Sequence, residues 1–504
     1  MSTAARATAT LSTAARFGRA SANPSATISD LLSKIATQTD PLSDTIAAIA
    51  TPPGIAAVAI VRISGPDSRR IAAACFSFAR GDAGLWRAGQ MRRGSVIDPR
   101  TGDRLDDALA VAFWAPRSYT GEDVVELQVH GGAGVAAACL QAVLENGARF
   151  AAPGEFTRRA FSNRRMDLAQ AEAVADLINA ESRLAARAAA VRLDGALGRR
   201  LRQLRKELLD RLVEIEAHID YPDEVEPPDA QAVDACIDSQ FAAITALLTD
   251  AGSGVTLREG ITCVIAGPPN AGKSSLLNAL AQSERAIVAP TPGTTRDIIE
   301  ERIAIDGVIV HLRDTAGLRM ARDPVEIEGV QRARAAIDAA ALAICVLDGS
   351  RRFGEDERIA IEATSAGPRI ILCNKADLGR DGADAFELAH PGLARDGSAH
   401  AFVRGSVLDA ATIEAMRRAI ARIAWGGGII DAGKALVANA RQIDALARAA
   451  EALAHARSTI AERQPIDLLS GDLSAAVAAY GEVTGETVTE EVLEGIFARF
   501  CVGK

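Results

Sequence analysis

Residues 267–274 read Gly-Pro-Pro-Asn-Ala-Gly-Lys-Ser, after an apolar run at 261–266 and before leucines at helical spacing in 276–280. This is the GxxxxGK[ST] spacing, placed between a predicted strand and a predicted helix. Backbone N–H groups of such a turn surround phosphate oxygens. Lys273 is then expected to reach the outer phosphates, and the Ser274 hydroxyl is the expected Mg²⁺ ligand. The stretch predicts a nucleotide site in an α/β unit.

Two further motifs follow predicted strands. The first is Asp314-Thr315-Ala316-Gly317, which places an acid beside the metal and a glycine N–H at the γ-phosphate. The second is Asn374-Lys375-Ala376-Asp377. The Asp377 carboxylate accepts hydrogen bonds, and guanine offers it two donors, N1–H and the exocyclic amine, whereas adenine offers no such pair. The predicted nucleotide is therefore GTP.

The joint order of these motifs resembles the GTPase superfamily. Between the first two lies Thr291-Pro292-Gly293-Thr294-Thr295-Arg296-Asp297, in the place of a switch segment whose Thr295 ligates Mg²⁺ when GTP is bound. The superfamily usually shows a fifth element near the base, Ser-Ala-Lys or Ser-Ala-Arg. This chain offers Ser406-Val407-Leu408 there, and that assignment stays open.

Leu318 follows the Asp-Thr-Ala-Gly motif, where Ras-like proteins have the glutamine that orients the attacking water. GTP hydrolysis therefore needs other groups to orient the water and stabilise the transition state. Asn270, together with the loop before Thr295, resembles GTPases in which a bound K⁺ replaces the arginine finger and stabilises the transferring phosphoryl group. Glu326 is the candidate that positions the water; the alternative is an ordinary solvated acid in a charged loop.

These motifs define the predicted nucleotide site. The GTP-binding set is Asn270, Ala271, Gly272, Lys273, Ser274, Ser275, Ala289, Pro290, Thr291, Pro292, Gly293, Thr294, Thr295, Asp314, Thr315, Ala316, Gly317, Asn374, Lys375, Ala376 and Asp377. The predicted Mg²⁺ ligands are Ser274 and Thr295, and the K⁺ ligands implied by the resemblance are Asn270, Ala289, Thr291 and Thr294. Lys273, Thr295 and Glu326 are the predicted catalytic residues of GTP hydrolysis.

Length and composition bound the rest of the chain. At about 100–200 residues per domain, its 504 residues predict three or four domains. With 56 basic and 65 acidic residues the net charge is −9, so no global positive field drives nucleic-acid binding. The seven cysteines are scattered and show no CxxC spacing, which argues against a disulfide framework, zinc or haem. The most apolar stretch, 46–61, is broken by Thr51-Pro52-Pro53-Gly54, so we expect no membrane span.

Pattern changes divide the chain into five segments. Residues 1–43 start with 29 residues free of Asp and Glu and are expected to be a disordered extension. Residues 44–158 mix strands and helices, 159–258 and 425–504 show amphipathic helices, and 259–424 alternate strands with helices. One helix is expected to cover Ala230 to Thr249. Because helical segments flank the α/β unit, we expect it to be inserted in one discontinuous helical domain. The predicted fold class is multidomain, with an α+β N-terminal domain and an inserted P-loop GTPase domain with a mostly parallel sheet.

Motifs at both ends look like the MnmE (TrmE) family of tRNA uridine-modification GTPases, of the TrmE-Era-EngA-like superfamily. The resemblance covers about 44–504. The motifs that carry it are Thr51-Pro52-Pro53-Gly54, Arg62-Ile63-Ser64-Gly65, Tyr119-Thr120-Gly121-Glu122-Asp123, His130-Gly131-Gly132, Pro153-Gly154-Glu155-Phe156, Arg165-Met166-Asp167-Leu168-Ala169-Gln170-Ala171-Glu172 and Cys501-Val502-Gly503-Lys504. The family tail usually reads Cys-Ile-Gly-Lys, so Val502 is a conservative departure.

The resemblance implies that residues 44–158 bind 5-formyl- or 5,10-methylene-tetrahydrofolate and dimerise. By position, the implied folate contacts are Arg62, Glu126, Arg165 and Lys504. A carboxylate suits the amidine-like edge of a pterin, and cations suit the carbonyl and carboxylate oxygens. Taken alone, Arg62 and Glu126 would be read as a surface ion pair. Cys501 is the implied catalytic thiol near the transferred carbon, with simple packing as the equal alternative.

The implied activity is K⁺-stimulated GTP hydrolysis, activated by G-domain dimerisation in a homodimer. With the flavoprotein MnmG, in a heterotetramer, it adds a (carboxymethyl)aminomethyl group at C5 of the wobble uridine of certain tRNAs. Two alternatives stay open: a ribosome-assembly GTPase, and a folate-dependent methyltransferase with a regulatory GTPase. A basic RNA module is not evident, because the cluster at 199–206 is interleaved with acids at helical spacing. The expected compartment is the cytoplasm, or the mitochondrion if residues 1–43 are a transit peptide.

Overall fold

A computed structural model describes residues 44–79, 86–283, 300–314, 334–393, 397, 399–426 and 433–504. The predicted extension at 1–43 lies outside these residues. The described residues form two compact units: those of 44–152 with Gly503, and those of 153–502 with Lys504. The predicted boundary between residues 158 and 159 falls inside a helix, Glu155–Ser162.

The first unit contains a seven-stranded sheet of order β3-β4-β5-β6-β2-β1-β7, antiparallel except for the β1–β7 pair. Alternate residues of β2, such as Val61 and Ile63, are buried in one core with Ile71 of α1 and Val143 of α2. This is the alternation expected of strands with one covered face. The elements are β1 Ile46–Ile49, β2 Val58–Ser64, α1 Ser68–Cys75, β3 Phe76–Phe78, β4 Arg92–Ile97, β5 Arg104–Phe113, β6 Val124–His130, α2 Ala133–Glu145 and β7 Arg149–Phe150.

The nucleotide motifs lie in a six-stranded sheet of order β13-β12-β11-β8-β10-β9. Only the edge strand β9 is antiparallel to its neighbour, so the predicted mostly parallel sheet is confirmed. Strand β11 is buried at every position, as expected for a central strand covered on both faces. The elements are β8 Ile261–Ala266, α8 Lys273–Ser283, β9 Glu300–Ile305, β10 Val308–Asp314, β11 Leu342–Asp348, α9 Glu355–Ala363, β12 Arg369–Asn374, α10 Asp381–Ala389, β13 His400–Arg404 and α11 Ala410–Ala424.

One helical core is built from both sides of this sheet. Leu201 and Leu208, which precede it in the chain, are buried in one cluster with Leu446 and Leu473, which follow it. The α/β unit therefore interrupts a single helical core. The helices that precede and follow the α/β unit in the second compact unit are α3 Glu155–Ser162, α4 Leu168–Ile178, α5 Arg183–Leu193, α6 Ala196–Asp220, α7 Ala230–Glu259, α12 Ala440–Ala461, α13 Ile466–Thr484 and α14 Glu490–Phe497.

Helix α7 is longer than the sequence pattern predicts. The pattern indicated an end at Thr249, but the helix continues to Glu259 through two glycines. A Cβ on Gly254 would lie 1.9 Å from the carbonyl oxygen of Val437. This glycine therefore permits a close helix–backbone approach and does not end the helix.

By length and composition alone, α7 is also long and apolar enough to cross a membrane. Its buried residues Val233, Ile237 and Ile244 pack into the helical core. These contacts place part of the apolar surface of the helix in the core, and 22% of its most apolar window is buried.

The shared helical core predicts a difference between two leucines of α13. Leu473 is fully buried, whereas Leu468 is 51% exposed. We expect Leu473→Ala to lower the opening free energy of α12 and α13 by about 2–5 kcal/mol, because the buried methyl groups leave a cavity. Leu468→Ala, the matched control, should change it by less than about 0.5 kcal/mol. Hydrogen exchange of peptides from both helices measures the difference, and equal effects would contradict a core shared across the insertion.

Candidate functional site

The predicted phosphate loop lies between β8 and α8, against two neighbouring strands. A Cβ on Gly267 would be 2.1 Å from the Val346 carbonyl oxygen of β11, and one on Gly272 would be 2.2 Å from the Asn374 amide nitrogen. Both glycines have positive φ, 145° and 105°. Larger residues at either position would push the loop off the sheet, so the spacing of the motif follows from packing as well as from ligand approach.

The side chain of Lys273 folds back onto the phosphate loop. The Lys273 Nζ donates hydrogen bonds to the carbonyl oxygens of Gly267 at 3.0 Å and Pro268 at 2.9 Å. Asn270 has the left-handed conformation, with φ of 60°. The ammonium, the loop amides and the N-terminus of α8 together form a positive cradle suited to phosphate oxygens.

Asn374, at the end of β12, joins three loops. Its side-chain nitrogen donates to the Ala271 carbonyl at 2.8 Å, and its side-chain oxygen accepts from the Val407 N–H at 2.9 Å. Both bonds are buried. The phosphate loop, the base-reading motif and the loop after β13 therefore form one assembly at the carboxyl edge of the sheet.

These loops enclose a cleft of ≈ 460 Å³. Of the predicted GTP-binding residues, it brings together Asn270, Gly272, Lys273, Ser274, Ser275, Asn374, Lys375 and Asp377. Ala271 is buried in the loop and Ala376 follows Lys375. Ser406, Val407 and Leu408 line the base end of the same cleft, which places the open fifth element beside Asp377. Leu408, where the superfamily has a cation, is 85% exposed there.

Sequence reasoning missed Asp348, which ends β11. Its carboxylate accepts from Lys375 Nζ at 2.9 Å and from Ser350 Oγ at 2.6 Å. Burial raises the pKa of Asp348, but the Ser350 hydrogen bonds and the Lys375 ammonium outweigh burial and hold that pKa below its usual value. The available signal was an acid at the carboxyl end of a buried strand, next to the strand that precedes the base-reading motif.

The predicted switch residues lie largely outside the described part of the chain. These are Ala289, Pro290, Thr291, Pro292, Gly293, Thr294, Thr295, Thr315, Ala316, Gly317, Leu318 and Glu326. The backbone of Asp314 ends β10, opposite Ile265 of β8. Within the described residues, no group of three or more His, Cys, Asp or Glu side chains is arranged to hold a metal. The Mg²⁺ and K⁺ ligand sets stay predictions.

Two of the implied folate contacts meet in the first unit. Arg62 of β2 and Glu126 of β6 are cross-strand partners, and Arg62 Nε lies 2.8 Å from Glu126 Oε1. Arg62 Nη1 also donates to the Gly503 carbonyl at 3.1 Å, and its guanidinium lies 5.4 Å from the centre of the Tyr119 ring. Side-chain exposures of 13% and 17% make this a half-buried site, unlike the solvated pair that the residues alone suggest.

The other implied contacts belong to the second unit. Arg165 is exposed just before α4, and Lys504 is half-buried at the chain end, where its N–H donates to the Cys501 carbonyl at 3.4 Å. The roles of Arg165 and Lys504 in a folate site stay predictions.

Cys501 differs from the other six cysteines, all of which lie within the described residues. It is exposed, Cys236 is half-buried and the remaining five are buried. Burial raises the pKa of Cys75 to about 11 and that of Cys139 to about 12, so these thiols stay protonated near neutral pH. The Cys501 carbonyl accepts from the Gly154 N–H at 3.4 Å, which holds the tail near α3. Accessibility thus favours Cys501 as the available thiol.

The basic cluster at 199–206 is paired in part, as predicted, but with acids from other elements. Arg202 lies 3.4 Å from Asp167, and Arg205 lies 3.0 Å from Glu486. The sequence pattern had pointed to partners on the same helix.

A mostly parallel sheet whose carboxyl-edge loops set a phosphate loop beside the predicted base-reading aspartate has the architecture of the P-loop GTPases. Two family models also match the chain: "GTP-binding protein TrmE N-terminus" over residues 45–165 and "MnmE helical domain" over residues 168–501. The tRNA modification GTPase MnmE of Chloroflexus aurantiacus is 45% identical over 465 residues, which cover 92% of this chain and 100% of that protein. The chain belongs to the MnmE family and is a GTP-hydrolysing enzyme.

Another relative has a similar sequence identity, and a solved structure is less similar. The protein of the same name from Roseiflexus sp. is 44% identical over 92% of this chain and 99% of its own length. Among solved structures, the G domain of the T. maritima FeoB iron transporter is 21% identical, with a TM-score of 0.23, over 32% of this chain and 98% of that one. At that score the structural likeness carries no argument.

The cleft predicts a change of base selectivity. Asp377→Asn should weaken GTP binding by about 100-fold, because one charge-assisted hydrogen bond of about 1.5–3 kcal/mol is replaced by a contact between two donors and the other loses its charge. Xanthosine triphosphate should gain affinity, since its C2 carbonyl accepts from the new amide. Competition binding with fluorescent nucleotides measures both changes. The control is Asp384→Asn, which removes an exposed partner of Arg404 outside the cleft; unchanged guanine selectivity in Asp377→Asn would refute the base-reading role.

Proposed function

We propose that the chain uses GTP hydrolysis to drive modification of tRNA, adding a (carboxymethyl)aminomethyl group at C5 of the wobble uridine. The observation that carries this proposal is a guanine-nucleotide cleft in a chain that matches tRNA modification GTPases along almost its whole length. A ribosome-assembly role has no comparable support, because part of the basic cluster on α6 is used in ion pairs.

The nucleotide cleft supplies the energy-coupling step. Lys273 and the loop amides neutralise the outer phosphates, and Asp377 selects guanine. Ser274, at the start of α8, and Thr295 are the residues that would hold Mg²⁺, which would neutralise negative charge on the phosphates. Glu326 would orient the attacking water. Asn270, within the phosphate loop, lines the cleft and would hold a K⁺ ion, whose charge would stabilise the transferring phosphoryl group.

The first unit supplies a one-carbon site. Arg62 and Glu126 put a cation and a carboxylate side by side, and the Tyr119 ring lies close to the guanidinium. A reduced pterin has an amidine-like edge, carbonyl oxygens and a flat ring, which match these groups in kind. We therefore assign a tetrahydrofolate derivative to this unit.

Partners complete the assembly. With a net charge of −9, the isolated chain is poorly suited to binding a polyanion such as tRNA. A flavoprotein of the MnmG kind, joined to a homodimer of this chain in the cytoplasm, would supply the basic surface and the redox cofactor. Dimerisation of the GTPase domains across their switch faces would activate hydrolysis.

Nucleoside analysis tests the reaction. Wobble nucleosides of total tRNA from a strain lacking the gene should lose the C5 substituent, because uridine C5 is not otherwise activated. Liquid chromatography with mass spectrometry measures this loss, and the wild-type gene should restore the substituent. If a gene carrying Lys273→Ala restored the substituent, modification would not depend on the nucleotide cleft. Normal wobble nucleosides together with defective ribosomal subunits would favour the ribosome-assembly role.

Ion dependence tests the hydrolysis device. Replacing K⁺ by Na⁺ should lower kcat for GTP by about tenfold or more, which corresponds to about 1.4 kcal/mol of transition-state stabilisation. Asn270→Ala should remove most of the difference between the two ions. Steady-state phosphate release measures the rates. Equal turnover in K⁺ and Na⁺ would exclude the ion as the substitute for an arginine finger.

A further inference from the structure

Helix α4 carries two acids of the second unit that the nucleotide cleft does not use. Glu172 and Asp176 are four residues apart, so they project from one face of the helix. Their side chains are 11% and 10% exposed. Carboxylates this deeply buried need specific partners.

Glu172 binds the point where the chain leaves the inserted GTPase domain. Arg441, in the first turn of α12, makes a two-pronged pair with it, Nε to Oε1 at 2.8 Å and Nη2 to Oε2 at 2.8 Å. Gln442 adds an amide hydrogen bond at 2.7 Å. The outgoing junction is thereby held to α4 by three bonds.

Asp176 binds the point where the chain enters that domain. Arg258, in the last turn of α7, donates to its Oδ1 at 2.7 Å. Arg192 of α5 donates to the Oδ2 at 2.9 Å, and a second nitrogen of Arg192 donates to the Ala435 carbonyl of the outgoing segment at 3.3 Å. One carboxylate therefore reaches both junctions.

A small apolar cluster backs these polar bonds. Ala188, Leu257 and Ala435 are buried together, and Trp425, which follows α11, packs against them. We call Glu172, Asp176, Arg192, Arg258, Arg441 and Gln442 the junction network. It joins α4 to both chain segments that carry the GTPase domain.

The turn after α4 touches the GTPase domain at a third place. The Ser182 hydroxyl donates to the Gly307 carbonyl at 2.7 Å, and Arg302 lies 3.2 Å from Glu181. Gly307 forms the turn between β9 and β10. These strands follow and precede the two predicted switch segments in the sequence.

The apolar face of α4 holds the C-terminal tail. Leu168, Ala171 and Val174 are buried with Phe497 and Phe500, and Phe500 directly precedes Cys501. A cleft of ≈ 410 Å³ separates α14 from both junctions; Glu172, Arg258 and Arg441 line one side, and Val492 and Ile496 line the other. Helix α4 thus lies between the supports of the GTPase domain and the segment that bears the exposed thiol.

We propose that Glu172 and Asp176 are positioning residues through which the nucleotide state of the GTPase domain sets the position of the Cys501 tail; its use in uridine modification rests on the proposed function above. Breaking one partner of a buried pair leaves an uncompensated charge, so these bonds resist partial opening. A rotation of the GTPase domain is therefore passed to α4 as a whole.

Alkylation of Cys501 in the full-length protein tests the proposal. Mass spectrometry follows the rate at Cys501 with GDP and with GDP plus aluminium fluoride, in K⁺ and Mg²⁺. In the wild type the two rates should differ by about fivefold or more, the lower end of typical coupling between sites. Glu172→Gln and Asp176→Asn, which conserve shape, should each abolish the difference. Their kcat for GTP should stay within about twofold of wild type, because neither side chain lies in the nucleotide cleft.

The matched control is Asp444→Asn, which removes an exposed partner of Arg448 on α12 and should keep the full nucleotide response. The proposal fails if a folded network variant keeps the wild-type response, or if the control loses it too. Each variant targets a different junction, so one that folds is sufficient. Because the readout needs only nucleotide, it is independent of tRNA chemistry. A C5 substituent retained in the strain lacking the gene would refute the proposed function and leave the alkylation result to decide the coupling.

Discussion

The side-chain amide of Asn374 is the interaction on which the nucleotide site depends. It bonds the phosphate loop through Ala271 and the loop after β13 through Val407. Both partners are buried, so losing the amide would leave a carbonyl and an N–H unsatisfied, at a cost of about 1–3 kcal/mol each. Gly272 is required for the same reason, since a Cβ there would meet the amide nitrogen. Phosphate binding and base reading are therefore parts of one rigid edge, and neither loop moves independently of the other.

Local patterns predicted the elements that present the site. Strand β8, the turn at 267–272 and helix α8 follow from an apolar run, a glycine spacing and leucines at helical intervals. Long-range facts were not available in the same way. The end of α7 was predicted ten residues early because Gly254 reads locally as a helix breaker, while its reason is a close approach to Val437 from a distant segment. That Leu201 and Leu473 share one core is equally invisible to periodicity, although helices on both sides of the α/β unit did point to an insertion.

For the site, motif residues could be predicted one by one but their partners could not. Arg62 and Glu126 were both singled out, yet their pairing depends on the register of β2 against β6, which no local signal determines. Asp348 was missed because its pairing with Lys375 depends on which strand lies next to β11 in the sheet. Glu172 was quoted within a family motif, and only the fold reveals that it binds Arg441. Residue types predict the chemistry of a site, and the topology of the fold determines which side chains come into contact.

The interrupted helical core also sets the order in which the protein can fold during synthesis. Helices α6 and α7 leave the ribosome with their apolar faces uncovered, because α12 and α13 are encoded beyond the inserted domain. At about 5–20 residues per second, that wait lasts on the order of 10–40 s. The parallel sheet, by contrast, has all its strands in one continuous stretch and completes its own core in the meantime. The GTPase domain of the nascent chain can thus fold before the helical domain is complete. The uncovered apolar faces of α6 and α7 are where chaperones would be needed most.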